Sequence, residues 1–125
     1  KNFISKVTEH NPPNVLAIEI DGEVCGGIGI HFKEDVYRKS AEMGYWLAEK
    51  HWGKGIVAKA ITQMVKYGFE NFDINRIYAS PYGNNEQSKR VLEKAGFTKE
   101  ATLKKAVYKN ERFYDLYIYS VLKKY

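Results

Sequence analysis

The chain has 125 residues, 44% of them apolar and 28% charged, with a net charge of +5 at neutral pH. That length accommodates a single domain over residues 1–125, and the apolar share, with 10 Tyr, 6 Phe and 2 Trp, excludes intrinsic disorder. No apolar run reaches the roughly 18 residues of a membrane span, and the lone cysteine, Cys25, excludes an internal disulfide and makes a cytoplasmic protein the expectation.

Residues 1–10 (KNFISKVTEH) read as the end of a short helix, stopped by Asn11-Pro12-Pro13. The first residue is Lys1 rather than Met and no signal-peptide pattern precedes it, so the sequence is expected to begin inside a longer protein. Two β-rich runs, 15–20 and 23–32, flank Asp21-Gly22, a strong hairpin signal. Gly26, Gly27 and Gly29 fall inside the second run, where glycine marks a bulge or a close backbone approach. A polar loop then leads to AEMGYWLAE (41–49), a third strand. Its alternation puts Glu42, Gly44 and Trp46 on one face and Met43, Tyr45 and Leu47 on the other.

After HWGKG, the apolar residues Val57, Ala60, Ile61, Met64, Val65, Gly68, Phe69 and Phe72 recur at helical spacing. They predict an amphipathic helix of about 17 residues. RIYASPY (76–82) reads as a strand. A second helix starts at Asn84-Asn85, with Gln87 placed for a capping box on Asn84, and ends at Gly96. Strands over about 97–108 and 112–122 close the chain around Lys109-Asn110-Glu111. The order predicts an α/β protein: a mixed sheet with helices on its faces.

The start of the first long helix carries the most information. The run before it, Trp52-Gly53-Lys54-Gly55-Ile56, contains no Ser, Thr, Asp or Asn to cap the exposed N–H groups. Two glycines allow a tight turn and Lys54 adds positive charge, which together make an anion site suited to phosphate. The plain alternative is a tight turn whose N–H groups face water. A Walker A loop is excluded because Gly55 stands where Ser or Thr must follow Lys54. Gly53 to Ala58 fits the loose G-x-G-x-x-A spacing, but the acidic residue required at the end of the following strand is missing, since Ser80 stands there. The charge split points the same way as the loop. Residues 1–49 hold five Lys/Arg against eight Asp/Glu, and residues 50–125 hold fifteen against seven, which suits an anionic ligand on the later part and is equally what chance placement of solvated surface charges gives.

WGKGI, the preceding AEMGYWLAE, the later NNEQSKRVLEKAGF and the closing YKNERFYDLYIYSVL together resemble the GNAT N-acetyltransferases. Within them the chain is most similar to the ribosomal-protein N-terminal acetyltransferase (RimJ/RimL-like) branch, over about residues 12–125 in the family's motif order. The resemblance implies the GNAT acyl-CoA N-acyltransferase fold, with the family's first strand and helix expected ahead of residue 1. It implies acetyl-CoA as co-substrate, its pyrophosphate wrapped by Trp52, Gly53, Lys54, Gly55, Ile56, Val57 and Ala58. It also implies pantetheine pairing with backbone groups of Trp46 and Leu47 at a splayed strand edge. Asn85 and Ser88 match an N-x-x-S signature beside the thioester, although Asn85 also reads as a helix cap. Two departures stand out. Val57 replaces a Gly or Ala, which narrows the approach to the phosphates, and Leu92 occupies the position where many members carry a Tyr as general acid.

The implied chemistry is attack of a primary amine on the thioester carbonyl. A thiol of pKa ~8.5 is a good leaving group, so a base is needed more than an acid. Glu42 is the candidate base, or else an ordinary strand carboxylate paired with Lys or Arg. Ser88 is the candidate proton donor. Cys25 lies mid-strand with no His nearby in sequence, and His10, His31 and His51 show no metal-ligand spacing, so neither a cysteine nucleophile nor a metal is expected. The acceptor is expected to be a peptide N-terminus, an amino acid or a polyamine, and the protein a monomer or homodimer. Neither a membrane nor a nucleic-acid partner is expected. Two rival readings are a non-catalytic acyl-CoA-binding module and a basic ribosome- or RNA-binding domain.

Overall fold

A computed structural model describes residues 2–6, 13–83 and 85–124. In chain order the elements are β1 (Asn2–Lys6), β2 (Val15–Ile20), β3 (Glu23–Phe32), β4 (Ser40–Leu47), α1 (Ile56–Asn71), β5 (Arg76–Ala79), α2 (Glu86–Lys94), β6 (Thr98–Lys109) and β7 (Arg112–Leu122). The strands form one sheet in the order β1-β2-β3-β4-β5-β7-β6. All neighbours run antiparallel except β4 and β5, which are parallel. The mixed sheet with two helices is the architecture that the periodicities predict.

The helix expected over residues 1–10 is corrected by the structure. Asn2–Lys6 extend antiparallel along β2, from Asn2 opposite Ile20 to Lys6 opposite Leu16. A helix this short is marginal alone, whereas the open edge of β2 supplies backbone partners at once. The stop at Asn11-Pro12 lies outside the described residues.

Local rules account for the rest. Asp21 and Gly22 both take positive φ, 52° and 84°, which makes the two-residue turn match the twist of β2 and β3. Ile18, Ile28, Ile30 and Ile77 on the sheet are fully buried against Ala60, Ile61 and Met64 of α1 and Leu92 of α2. Each large side chain so buried contributes about 1.5–3 kcal/mol. Gly26 is required where β3 meets β4. A Cβ there would collide with the Trp46 carbonyl oxygen and stand 3.1 Å from Leu47 Cδ1. The absence of a side chain lets the two backbones close on each other next to Trp46 and Leu47.

Gly26→Ala is expected to lower stability by about 1–3 kcal/mol, the usual range for forcing extra volume into a packed contact. Urea unfolding of the variant beside the parent protein measures it.

Candidate active site

The parallel ladder between β4 and β5 covers only Ser40–Glu42 against Arg76–Tyr78. Beyond it β4 continues to Leu47, paired with β3 alone, while the chain after β5 is drawn toward β7. The Tyr117 N–H donates to the Pro81 carbonyl at 2.9 Å, and the Gly83 N–H donates to that of Asp115 at 3.0 Å. The strands therefore splay, and a cleft of about 400 Å³ opens between them, walled by Met43, Tyr45, Trp46, Leu47, Ser80, Pro81, Asn85 and Ser88. Trp46 and Leu47, which the family resemblance put at a splayed strand edge, stand on the part of β4 that β5 leaves unpaired. Leu47 is not an idle edge residue, because its carbonyl accepts a hydrogen bond from Trp52 Nε1 at 2.7 Å.

A second compartment of about 290 Å³ lies against the start of α1, lined by Gly53, Gly55, Ile56, Val57 and Ala58. Leu47, Trp52, Val57, Gln87 and Val91 line both compartments, which makes one groove. Gly53 and Gly55 have φ of 78° and 76°. Gly55 stands at the N-cap of α1 and supplies no side-chain cap, so the first N–H groups of the helix are left for a ligand or water. Val57 is part of the wall at the waist of the groove, as its bulk implied.

Lys54 is exposed and lines neither compartment. The cations that do are Arg90 and Lys94 of α2, with Lys94 Nζ within 4.0 Å of the space a Cβ on Gly55 would fill. Sequence reasoning missed both. Their signal was available, because Gln87, Arg90, Val91 and Lys94 follow the i, i+3, i+4, i+7 stripe of one helix face.

Asn85 is the N-cap of α2; its Oδ1 accepts from the Ser88 N–H at 3.2 Å. The capping box on Asn84 lies outside the described residues. Asn85 also lines the cleft, so capping and site placement coexist in one residue. Ser88 Oγ and Tyr45 Oη are 2.6 Å apart in the cleft wall. Burial pushes the Tyr45 hydroxyl above its ordinary value, partly opposed by the Ser88 hydrogen bond. It stays protonated through neutral pH and is available as a donor. Alternation had placed Tyr45 with the core residues Met43 and Leu47. What the pattern lacked was that the neighbouring strand departs there and opens that face to a cavity. Leu92 is fully buried in the core, one turn away from Ser88, and has no chemistry to offer.

Glu42 projects from the opposite face of β4 and lines neither compartment. Its carboxylate pairs with Lys33 Nζ at 3.5 Å, and its register partner Tyr78 is the last before the strands part. Ser88 and Glu42 thus stand on opposite sides of the sheet near the vertex of the splay, rather than side by side.

A sheet parted around a groove that ends on an uncapped helix, flanked by cations, defines a site for an elongated ligand with an anionic end. The family described as Acetyltransferase (GNAT) domain matches residues 1–98, and the chain belongs to it. The Bacillus subtilis (strain 168) protein named "Putative ribosomal N-acetyltransferase YdaF" is 39% identical over 104 residues, 83% of this chain and 56% of that protein. The "Ribosomal-protein-serine acetyltransferase" of Escherichia coli (strain K12) is 31% identical over 100 residues, 80% of this chain and 55% of that one. The solved structure of RimL, a ribosomal L7/L12 alpha-N-protein acetyltransferase in complex with coenzyme A, superposes with a TM-score of 0.79 at 27% identity. It covers 87% of this chain and 61% of the RimL chain. The chain spans a little over half the length of the curated relatives it matches.

Asn85→Ala is expected to cost about 1 kcal/mol by removing the α2 cap. Thermal unfolding reads that loss, and Asn85→Ser, which keeps a capping oxygen, is expected to restore most of it.

Proposed function

We propose that this chain carries an acetyl-CoA-dependent N-acetyltransferase site that moves the acetyl group to a primary amine in a ternary complex. The observation that carries the reading is the continuous groove from the splay of β4 and β5 to the uncapped start of α1. Its length and polarity suit a ligand with a thioester at one end and phosphates at the other. The helix N-terminus, Arg90 and Lys94 meet the phosphates, and the unpaired edge of β4 meets the amide-bearing arm by strand-like hydrogen bonding. The family membership supports the same reading.

The chemistry follows from what stands at the vertex. An acceptor amine reaching the open face of the sheet meets Glu42, which takes its proton directly or through a water. The nitrogen attacks the thioester carbonyl, the C–N bond forms, and the C–S bond breaks with its electron pair leaving on sulfur. Tyr45 and Ser88 lie on the side where that sulfur emerges and return a proton to it through their shared hydrogen bond. They stand in for the acid that Leu92 does not supply. The acidic balance of residues 1–49 favours a cationic acceptor, and the names of the relatives favour a protein N-terminus over an amino acid or polyamine. A cytoplasmic setting fits a chain with one cysteine.

Acetyl-CoA at about 100 times its dissociation constant adds about 2.7 kcal/mol, which is expected to raise the melting temperature by roughly 10 °C for a domain of this size. A cooperative transition that acetyl-CoA does not move overturns the reading. A full shift with no thiol release for any amine favours the non-catalytic acyl-CoA-binding module instead.

Glu42→Gln is expected to lower kcat by about 10²–10⁴, the span of a positioned general base. Turnover unchanged across about pH 6–9 removes Glu42 from that role. Tyr45→Phe is expected to lower kcat by only about tenfold, because a thiolate of pKa ~8.5 leaves readily. The loss is expected to grow with pH-matched substrates whose leaving thiol is more basic.

A further inference from the structure

Beside the groove, and sharing His51 with the wall of its second compartment, the described residues contain one cluster of soft and borderline donors: Glu23, Cys25 and His51. The Cys25 sulfur, a carboxylate oxygen of Glu23 and a ring nitrogen of His51 all lie within 4.8 Å of one another. Cys25 is 3% exposed and forms no disulfide. His51 Nε2 is a buried polar atom with no hydrogen-bond partner among the described residues. A buried imidazole nitrogen left unpaired is costly and uncommon, and such an atom asks for a ligand.

The backbone explains how three residues so far apart in sequence converge. Ile18 pairs with Gly26 and Glu19 with Val24, so Cys25 is the extra residue of a β-bulge. Bulges re-aim side chains, and this one turns Cys25 inward. The Cys25 carbonyl accepts from the Ala48 N–H at 2.8 Å, which pins the bulge to the short turn Glu49–His51 that carries the imidazole. Glu23 comes from two residues earlier on the same strand and is exposed.

We propose that Glu23, Cys25 and His51 form a zinc site with water in the fourth position. The donor set of one thiolate, one imidazole and one carboxylate suits Zn2+ and does not suit Mg2+ or Ca2+. Bonds of about 2.0–2.3 Å place tetrahedral donors roughly 3.5 Å apart, so closure by about 1 Å through side-chain rotation completes the site. Binding releases the thiol proton to solvent and leaves the sulfur as thiolate. The competing contacts are weak: the Cys25 thiol donates to the Glu23 carbonyl at 3.3 Å and to Glu23 Oε1 at 3.8 Å, and Lys50 Nζ pairs with Glu23 Oε1 at 3.3 Å with both side chains more than 60% exposed. Glu23 also marks the solvent entry path. The site ties the β2–β3 hairpin to the residue next to Trp52, where the groove begins, and it stands whether or not the chain transfers acetyl groups.

The test is a titration of chelator-treated, reduced protein with Zn2+, Co2+ and Mg2+. One equivalent of Co2+ is expected to produce a thiolate-to-metal charge-transfer band, and one equivalent of Zn2+ to abolish it and raise the melting temperature, with no response to Mg2+. Cys25→Ser is expected to lose the band. His51→Gln, at a half-buried position that tolerates change, is expected to weaken Zn2+ binding by more than about tenfold, the least that losing even an outer partner costs. No thiolate band, or a Zn2+ response unchanged in His51→Gln, overturns the proposal. Acetyl-CoA is absent from every arm, so the outcome is separate from that of the acetyltransferase reading.

Discussion

Three register positions join β4 to β5, Ser40–Glu42 against Arg76–Tyr78, and then the strands separate. A sheet interior normally closes every backbone donor and acceptor against a neighbour. Here β4 is held on one side only, by β3, through a contact tight enough that Gly26 has no room for a Cβ. On the other side the chain after Ala79 passes through Pro81, and its carbonyls and N–H groups turn to β7. The parting is therefore set by what each strand gains elsewhere. The groove, the exposure of Tyr45 to it and the placement of Glu42 at its vertex all follow from that separation.

The two helices treat their N-termini in opposite ways. α2 is closed by Asn85, whose side chain accepts from Ser88 N–H. α1 begins at Gly55 with no side-chain cap. Capping is worth about 1 kcal/mol and is easily obtained by a single Ser or Asp, so a bare helix start beside two left-handed glycines carries a cost, which the proposed ligand would offset. At Tyr45, burial disfavours the ionised form, and the bond to Ser88 keeps the hydroxyl satisfied.

Positive charge reaches the groove from an unexpected element. Lys54 sits in the glycine turn itself, yet it points to solvent, and Arg90 and Lys94 from α2 line the compartment instead. The left-handed glycines leave the intervening side chain on the outside of the turn, and the helix that packs alongside supplies the positive charge.

Most of the fold was legible in order and type. The Asp21-Gly22 hairpin, the amphipathic stripe from Val57 to Phe72 and the closing pair of strands all reflect interactions between residues near in sequence, and their boundaries fall within a residue or a few. Asn2–Lys6 were misread because their strand exists only through pairing with β2, a partner that no local pattern displays. At the site, the uncapped start of α1 and Asn85 as a helix cap were readable because turn chemistry is local, whereas Ser88 and the edge at Trp46 and Leu47 were expected only from the likeness to the acetyltransferase family. Tyr45, Arg90 and Lys94, the separation of Glu42 from Ser88, and the meeting of Cys25 with His51 were decided by the tertiary structure alone. Each depends on where a strand ends, which way a bulge turns, or how a helix lies against a loop, and those are settled by packing between segments that the sequence keeps far apart.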